Sequence, residues 1–211
     1  MSNSTFPDHP PRAGSAHMLH LLSVLSLIGG VVLILGNIVG SIVVPNHDWV
    51  ADTVSDLAAG RFEIIQDVAL YGYAGALLAL ALATAHVHAE TWRWTALMLL
   101  LVVIAVFVVI IGARNEYGDG DNEGIVIHIY IVYAMGLAFV ASFVLAALVY
   151  AQSDPWFARV SWIAAALWTV GAPIFFFMPT GYDGAWERGL GVISVVWSTA
   201  YARVIWRMAQ R

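Results

Sequence analysis

The chain has no cysteine, no lysine and few charges of any kind. The absence of cysteine excludes disulfides, thiolate zinc sites and cysteine nucleophiles, and it leaves the redox compartment unmarked. Charged residues make up 11% of the 211 positions, whereas a soluble globular domain carries about 25%. The few charges sum to −5, which argues against nucleic acid as a partner because binding phosphate needs a basic surface.

What the chain does have is apolar length. Hydrophobic residues account for 61% of it, and they come in runs of roughly 20 or more, enough to cross a hydrocarbon core as helix. The pattern predicts an all-α membrane protein, a six-helix bundle with spans near 17–44, 67–87, 92–113, 124–150, 155–178 and 186–208. Residues 1–16, with Pro7, Pro10 and Pro11 among polar neighbours, read as a disordered tail, and 17–208 as one transmembrane domain. The first apolar run is too long for a signal-peptide core. Pro45 and Pro179 are expected to stop the first and fifth spans, and Asp154-Pro155 reads as a helix N-cap followed by proline at the first helical position.

Arginine alone sets the expected orientation. Arg12, Arg93, Arg159, Arg203, Arg207 and Arg211 fall on the side of the termini, against Arg61, Arg114 and Arg188 on the other. Basic residues are retained in the cytoplasm, so both termini should be cytoplasmic, and the inner membrane of a bacterium is the expected location. The opposite, outer side then carries most of the carboxylates, several of them at helix mouths, and is where function is sought.

Small residues suggest how two helices meet. Gly36 and Gly40 on the first span face a stripe of Gly72, Gly75, Ala79 and Ala83 on the second. Asn37, between those glycines, is expected to make an interhelical hydrogen bond.

The outer loop 45–66 contains Thr53-Val54-Ser55-Asp56, a capping-box pattern with Asp in place of Glu, which predicts a short surface helix. Were that helix continuous into the second span, Asp56, Glu63 and Asp67 would share a face; Gly60 is placed to interrupt it. Asp67 stands at the membrane boundary, where an ionised group needs a partner or water. The stretch from Glu116 to Gly124 imitates the first half of an EF-hand loop, but Tyr130 occupies the position of the bidentate Glu, so a flexible acidic turn is expected.

His128 lies about one turn inside the fourth span, where ionisable residues are costly and usually face the bundle interior. Asp67, Glu123 and Glu187 are its expected neighbours. Asp183 and Glu187 suit the N-terminus of the last helix, but Arg188 opposes its dipole and must be held by something else. A clamp to Asp67 or Glu123 would serve, as would a bound anion. On the inner side His17, His20, His86 and His88 approach one leaflet and could ligate a haem or metal, although interfacial histidines commonly do nothing specific.

Three stretches in order, Thr53-Val54-Ser55-Asp56-Leu57 with Gly60, Gly124 with His128, and Gly184-Ala-Trp-Glu187-Arg188, together resemble the bacterial integral membrane family labelled domain of unknown function 998. The resemblance covers most of the chain and implies a shared site at Ser55, His128, Glu187 and Arg188. Where the family often has Asp-Pro after its third span and a further His ahead of the one matching His128, this chain has Arg114-Asn-Glu116-Tyr and Ile125. The resemblance implies no activity.

The residues therefore predict an outward-facing polar pocket of Ser55, Asp67, His128, Glu187 and Arg188, with membrane lipids as partners. Three mechanisms fit. A membrane-embedded hydrolase would hold a divalent metal with Asp67, His128 and Glu187 and act on a lipid ester or phosphoester. A transporter would titrate Asp67 and His128 beside a helix break at Pro173, with a homodimer forming the pathway. A lipid-binding or assembly protein would hold a lipid phosphate on Arg188 and anchor itself through its nine tryptophans.

Overall fold

A computed structural model describes residues 13–58, 60–87, 91–113 and 127–210. The tail up to residue 12, His88, Glu90 and the acidic turn from Glu116 to Gly124 lie outside them. The described residues form seven α-helices and no strand: α1 (Ala13–Val43), α2 (Val54–Leu57), α3 (Glu63–His86), α4 (Trp92–Ala113), α5 (Ile127–Tyr150), α6 (Pro155–Phe175) and α7 (Asp183–Ala209). All but α2 are long and apolar enough to cross a membrane. Large apolar side chains such as Leu21, Ile28, Val31, Ile163 and Val170 lie on their outer faces, the surface a lipid solvent accepts and water does not.

The six long helices close into a ring. α1 packs on α3 and α7, α3 on α4, α4 on α5, α5 on α6 and α6 on α7, and α3 also touches α7 across the middle. Successive helices run in opposite directions, so the 44–62 connection and the starts of α3, α5 and α7 gather at one end, called here the loop end. The start of α1 and the end of α7 lie at the other.

Local signals explain most boundaries. Asp154 caps α6 by accepting the Phe157 N–H at 3.0 Å, with Pro155 in the first turn. The helix α1 stops at Val43, just before Pro45. Several ends differ from expectation: α1 starts four residues early, α3 and α7 start at Glu63 and Asp183, and α6 ends at Phe175 ahead of Pro179.

The α1–α3 contact is built on missing side chains, though not on all the glycines the spacing suggested. A Cβ on Gly29 would overlap the Gly72 carbonyl oxygen, one on Gly36 would overlap the Ala69 Cβ, and one on Gly72 would come within 2.9 Å of Val32. Gly40 instead leaves room for Leu57 of α2, and Gly75 has open space beside it. Small residues let two backbones approach closely where no hydrophobic force favours helix over lipid.

Toward the terminal end, aromatic side chains fill the ring. Phe143 meets Trp197 at 4.9 Å, Phe157 stacks on Tyr201 at 5.0 Å, and Tyr150 meets Tyr201 edge-on at 5.5 Å. The buried hydroxyls are chained: Tyr150 donates to Tyr201 at 3.3 Å, Tyr201 pairs with Thr84 at 2.6 Å, and Thr84 donates to the Leu80 carbonyl at 2.7 Å. This plug leaves the opposite half of the ring open.

Candidate functional site: a roofed cavity at the loop end

The open half is a cavity of about 790 Å³, within the ~300–1,000 Å³ of common small-molecule sites. Its walls are mostly apolar, with Tyr73, Phe139, Trp168 and Leu190 among them, and its polar side chains include Asn37, Ser55, His128, Glu187 and Arg188. The α1–α3 connection roofs it through Trp49, Val54, Ser55 and Ala58.

Arg188 holds that roof down. It is 8% exposed, and four of its five N–H groups are committed. Nε donates to Asn37 Oδ1 at 2.9 Å, joining α7 to α1. Nη1 donates to the carbonyl oxygens of Trp49, at 3.0 Å, and Asp52, at 2.7 Å. Nη2 meets His47 Nε2 at 2.8 Å, and the guanidinium carbon lies 4.5 Å from the centre of the Trp49 ring. The expected salt-bridge clamp is replaced by hydrogen bonds to uncharged acceptors: Asp67 is not among the partners, and Glu123 lies outside the described residues.

The roof accepts this grip because it is internally built. Asp48 accepts the backbone N–H groups of Val50 and Ala51, which hold its exposed carboxyl below the ordinary value. Asp52 accepts the Asp48 N–H at 2.7 Å and lies 3.5 Å from His47 Nδ1. Burial, and next the Arg188 charge, push the His47 imidazole down, while Asp52, Asp56 and Asp48 pull the other way. The lowering favours the neutral imidazole, whose Nε2 accepts from Arg188. The first turn of α7 completes the seam: Ala185 donates to the Val50 carbonyl at 2.9 Å, and any Cβ on Gly184 would overlap the Asp52 carbonyl oxygen.

The short helix α2 follows. Thr53 and Asp56 form the expected reciprocal box, with Thr53 N–H to Asp56 Oδ2 at 2.6 Å and Asp56 N–H to Thr53 Oγ1 at 3.2 Å. Gly60, at φ +80°, breaks any continuation into α3. Glu187 of α7 accepts the Val54 N–H at 2.7 Å, so the carboxylate anchors the backbone just before Ser55. Ser55 Oγ lies 3.5 Å from His128 Nε2 of α5.

Four of the five residues expected at the pocket, Ser55, His128, Glu187 and Arg188, line the cavity. Asp67 does not. Leu70 and Tyr73 of α3 line it instead, and Asp67 Oδ1 is buried with no hydrogen-bond partner among the described residues. The metal set of Asp67, His128 and Glu187 is accordingly not assembled: among the described residues no three His, Asp or Glu side chains are grouped to hold a metal ion. That includes the inner-side histidines that are described, of which His20 packs against Trp206 at 4.4 Å. His47, Trp49 and Asp52 are site residues that sequence reasoning missed. Their only signal was Arg188 itself, a buried-end cation without a local partner.

Six apolar spans around a roofed cavity define a multi-pass helical membrane protein. The chain belongs to the family of proteins of unknown function DUF998, whose profile matches residues 27–204. No curated protein and no solved structure matches it.

Proposed function

We propose that the protein binds an amphipathic membrane lipid, with its apolar tail in the cavity and its polar head beneath the roof, beside Ser55, His128 and Glu187. The observation that carries this reading is the cavity's composition, apolar walls ending in a small polar cluster, which matches a molecule apolar along its length and polar at one end. Its bonds to the described residues leave Arg188 only one N–H, so a neutral head bearing hydroxyl or ester groups suits this end better than a phosphate needing a bidentate guanidinium. The arginine distribution supports a loop end facing outward, cytoplasmic termini and a bacterial inner-membrane location.

Gly191 lines the cavity and has nothing within 4 Å of where a Cβ would lie. Detergent-purified protein should carry bound lipid, measured by extraction and mass spectrometry, and Gly191→Leu should reduce it several-fold with an unchanged elution profile. A lipid-free wild type, or a variant equally loaded, would refute the reading.

A further inference from the structure

The Ser55–His128 contact is surplus to what the fold needs. Helix α2 is already fixed by the Thr53–Asp56 box, by Glu187 on the Val54 N–H and by Leu57, which is 1% exposed and packs on Gly40. These restraints fix the backbone at Ser55 without help from His128. His128 reaches it from α5, 73 residues further along, and is itself 8% exposed. A hydroxyl and an imidazole nitrogen 3.5 Å apart stand a few tenths of an ångström beyond the ~2.6–3.2 Å nucleophile–base spacing, a gap that commonly closes when substrate arrives. Both line the cavity. A lipid whose tail fills that cavity presents the junction of tail and head, where an acyl ester lies, to this polar end.

We propose that Ser55 and His128 are a nucleophile and general base that hydrolyse a carboxylic ester of such a lipid; the inference rests on the lipid-binding reading. Ser55 Oγ forms a bond to the ester carbonyl carbon as its proton passes to His128 Nε2, and the carbonyl π electrons move to the oxygen. The tetrahedral species collapses, the bond to the alcohol oxygen breaks, and His128 returns the proton to that leaving group. Water then attacks the acyl-Ser55 carbonyl, His128 taking its proton and passing it to Ser55 Oγ as the acid departs. No electrons change hands, and water is the sole co-reactant. In this scheme Nε2 is unprotonated at the start and Nδ1 carries the ring proton.

The test uses full-length protein in detergent, treated with a long-alkyl fluorophosphonate and digested with chymotrypsin, with bound lipid measured on the same wild-type preparation. The expected result is one phosphonyl adduct on the peptide containing Ser55, absent in Ser55→Ala and formed on the order of 10²-fold more slowly in His128→Gln. Hydrolysis of a long-chain p-nitrophenyl ester should fall in parallel. Bound lipid without an adduct on Ser55 would overturn the catalytic pair and leave lipid binding standing. Neither lipid nor adduct would overturn both. Because the decisive labelling is of the wild type, a variant that fails to fold does not obscure the outcome.

Discussion

Arg188 grips Trp49 twice, donating from Nη1 to its carbonyl oxygen at 3.0 Å and lying 4.5 Å from its ring centre. With the bonds to Asn37, Asp52 and His47, one side chain from α7 thereby holds both α1 and the roof of the cavity. A lysine cannot reproduce this, because its ammonium is a point donor where the site uses a planar fork. Arg188→Lys should lower stability by about 2 kcal/mol, the scale of losing hydrogen bonds to a charged group. The check is thermal melting in detergent, and an unchanged midpoint would mean the roof is held by its own bonds and the Gly184 seam.

His47 makes the same latch sensitive to acid. In the folded protein burial and Arg188 hold its pKa below the ordinary 6.5, whereas the released segment takes up a proton at about that value. The open form therefore binds more protons, so the latch is fully stable above about pH 6.5 and weakens as pH falls toward the folded-state value. Protonated Nε2 would also point a hydrogen at the Arg188 donor. Hydrogen–deuterium exchange over 44–53, corrected for intrinsic rates, should show more opening at pH 5.5 than at pH 7.5. His47→Gln should flatten that difference. Asp48, held below the ordinary 3.8, adds acid sensitivity only in a much lower window.

Gln66 of α3 offers a prediction away from the latch. Its side chain is fully buried, and both amide atoms lack hydrogen-bond partners among the described residues. Leucine is close in volume and needs no partner, so Gln66→Leu should raise stability by about 1 kcal/mol, read as a higher melting midpoint. A loss of stability would show that the amide is satisfied in the folded protein, by water in the first instance.

The helical framework was legible in the sequence because each span answers to a local rule. Apolar runs of sufficient length must become helices in lipid, where every backbone N–H and carbonyl has to be satisfied within the segment. The Thr53–Asp56 box, the Asp154–Pro155 start of α6 and the Gly60 break each involve residues within a few positions of one another, so their chemistry is written in order along the chain. The convergence of Ser55, His128, Glu187 and Arg188 was suggested by placement at helix mouths and by the family pattern. It was not derivable from spacing.

Tertiary structure alone decided who meets whom. Arg188 finds partners 136 to 151 positions away, two of them backbone carbonyls that carry no side-chain signal at all. Asp67 shows the converse. Its place near the start of a span was readable, but α3 presses Ala69 and Gly72 on Gly36, Gly29 and Val32, and the α3 residues that reach the cavity are Leu70 and Tyr73. Hydropathy determines that a helix spans, since burial in lipid is indifferent to which face turns inward; close packing between small residues determines the face, and with it the site.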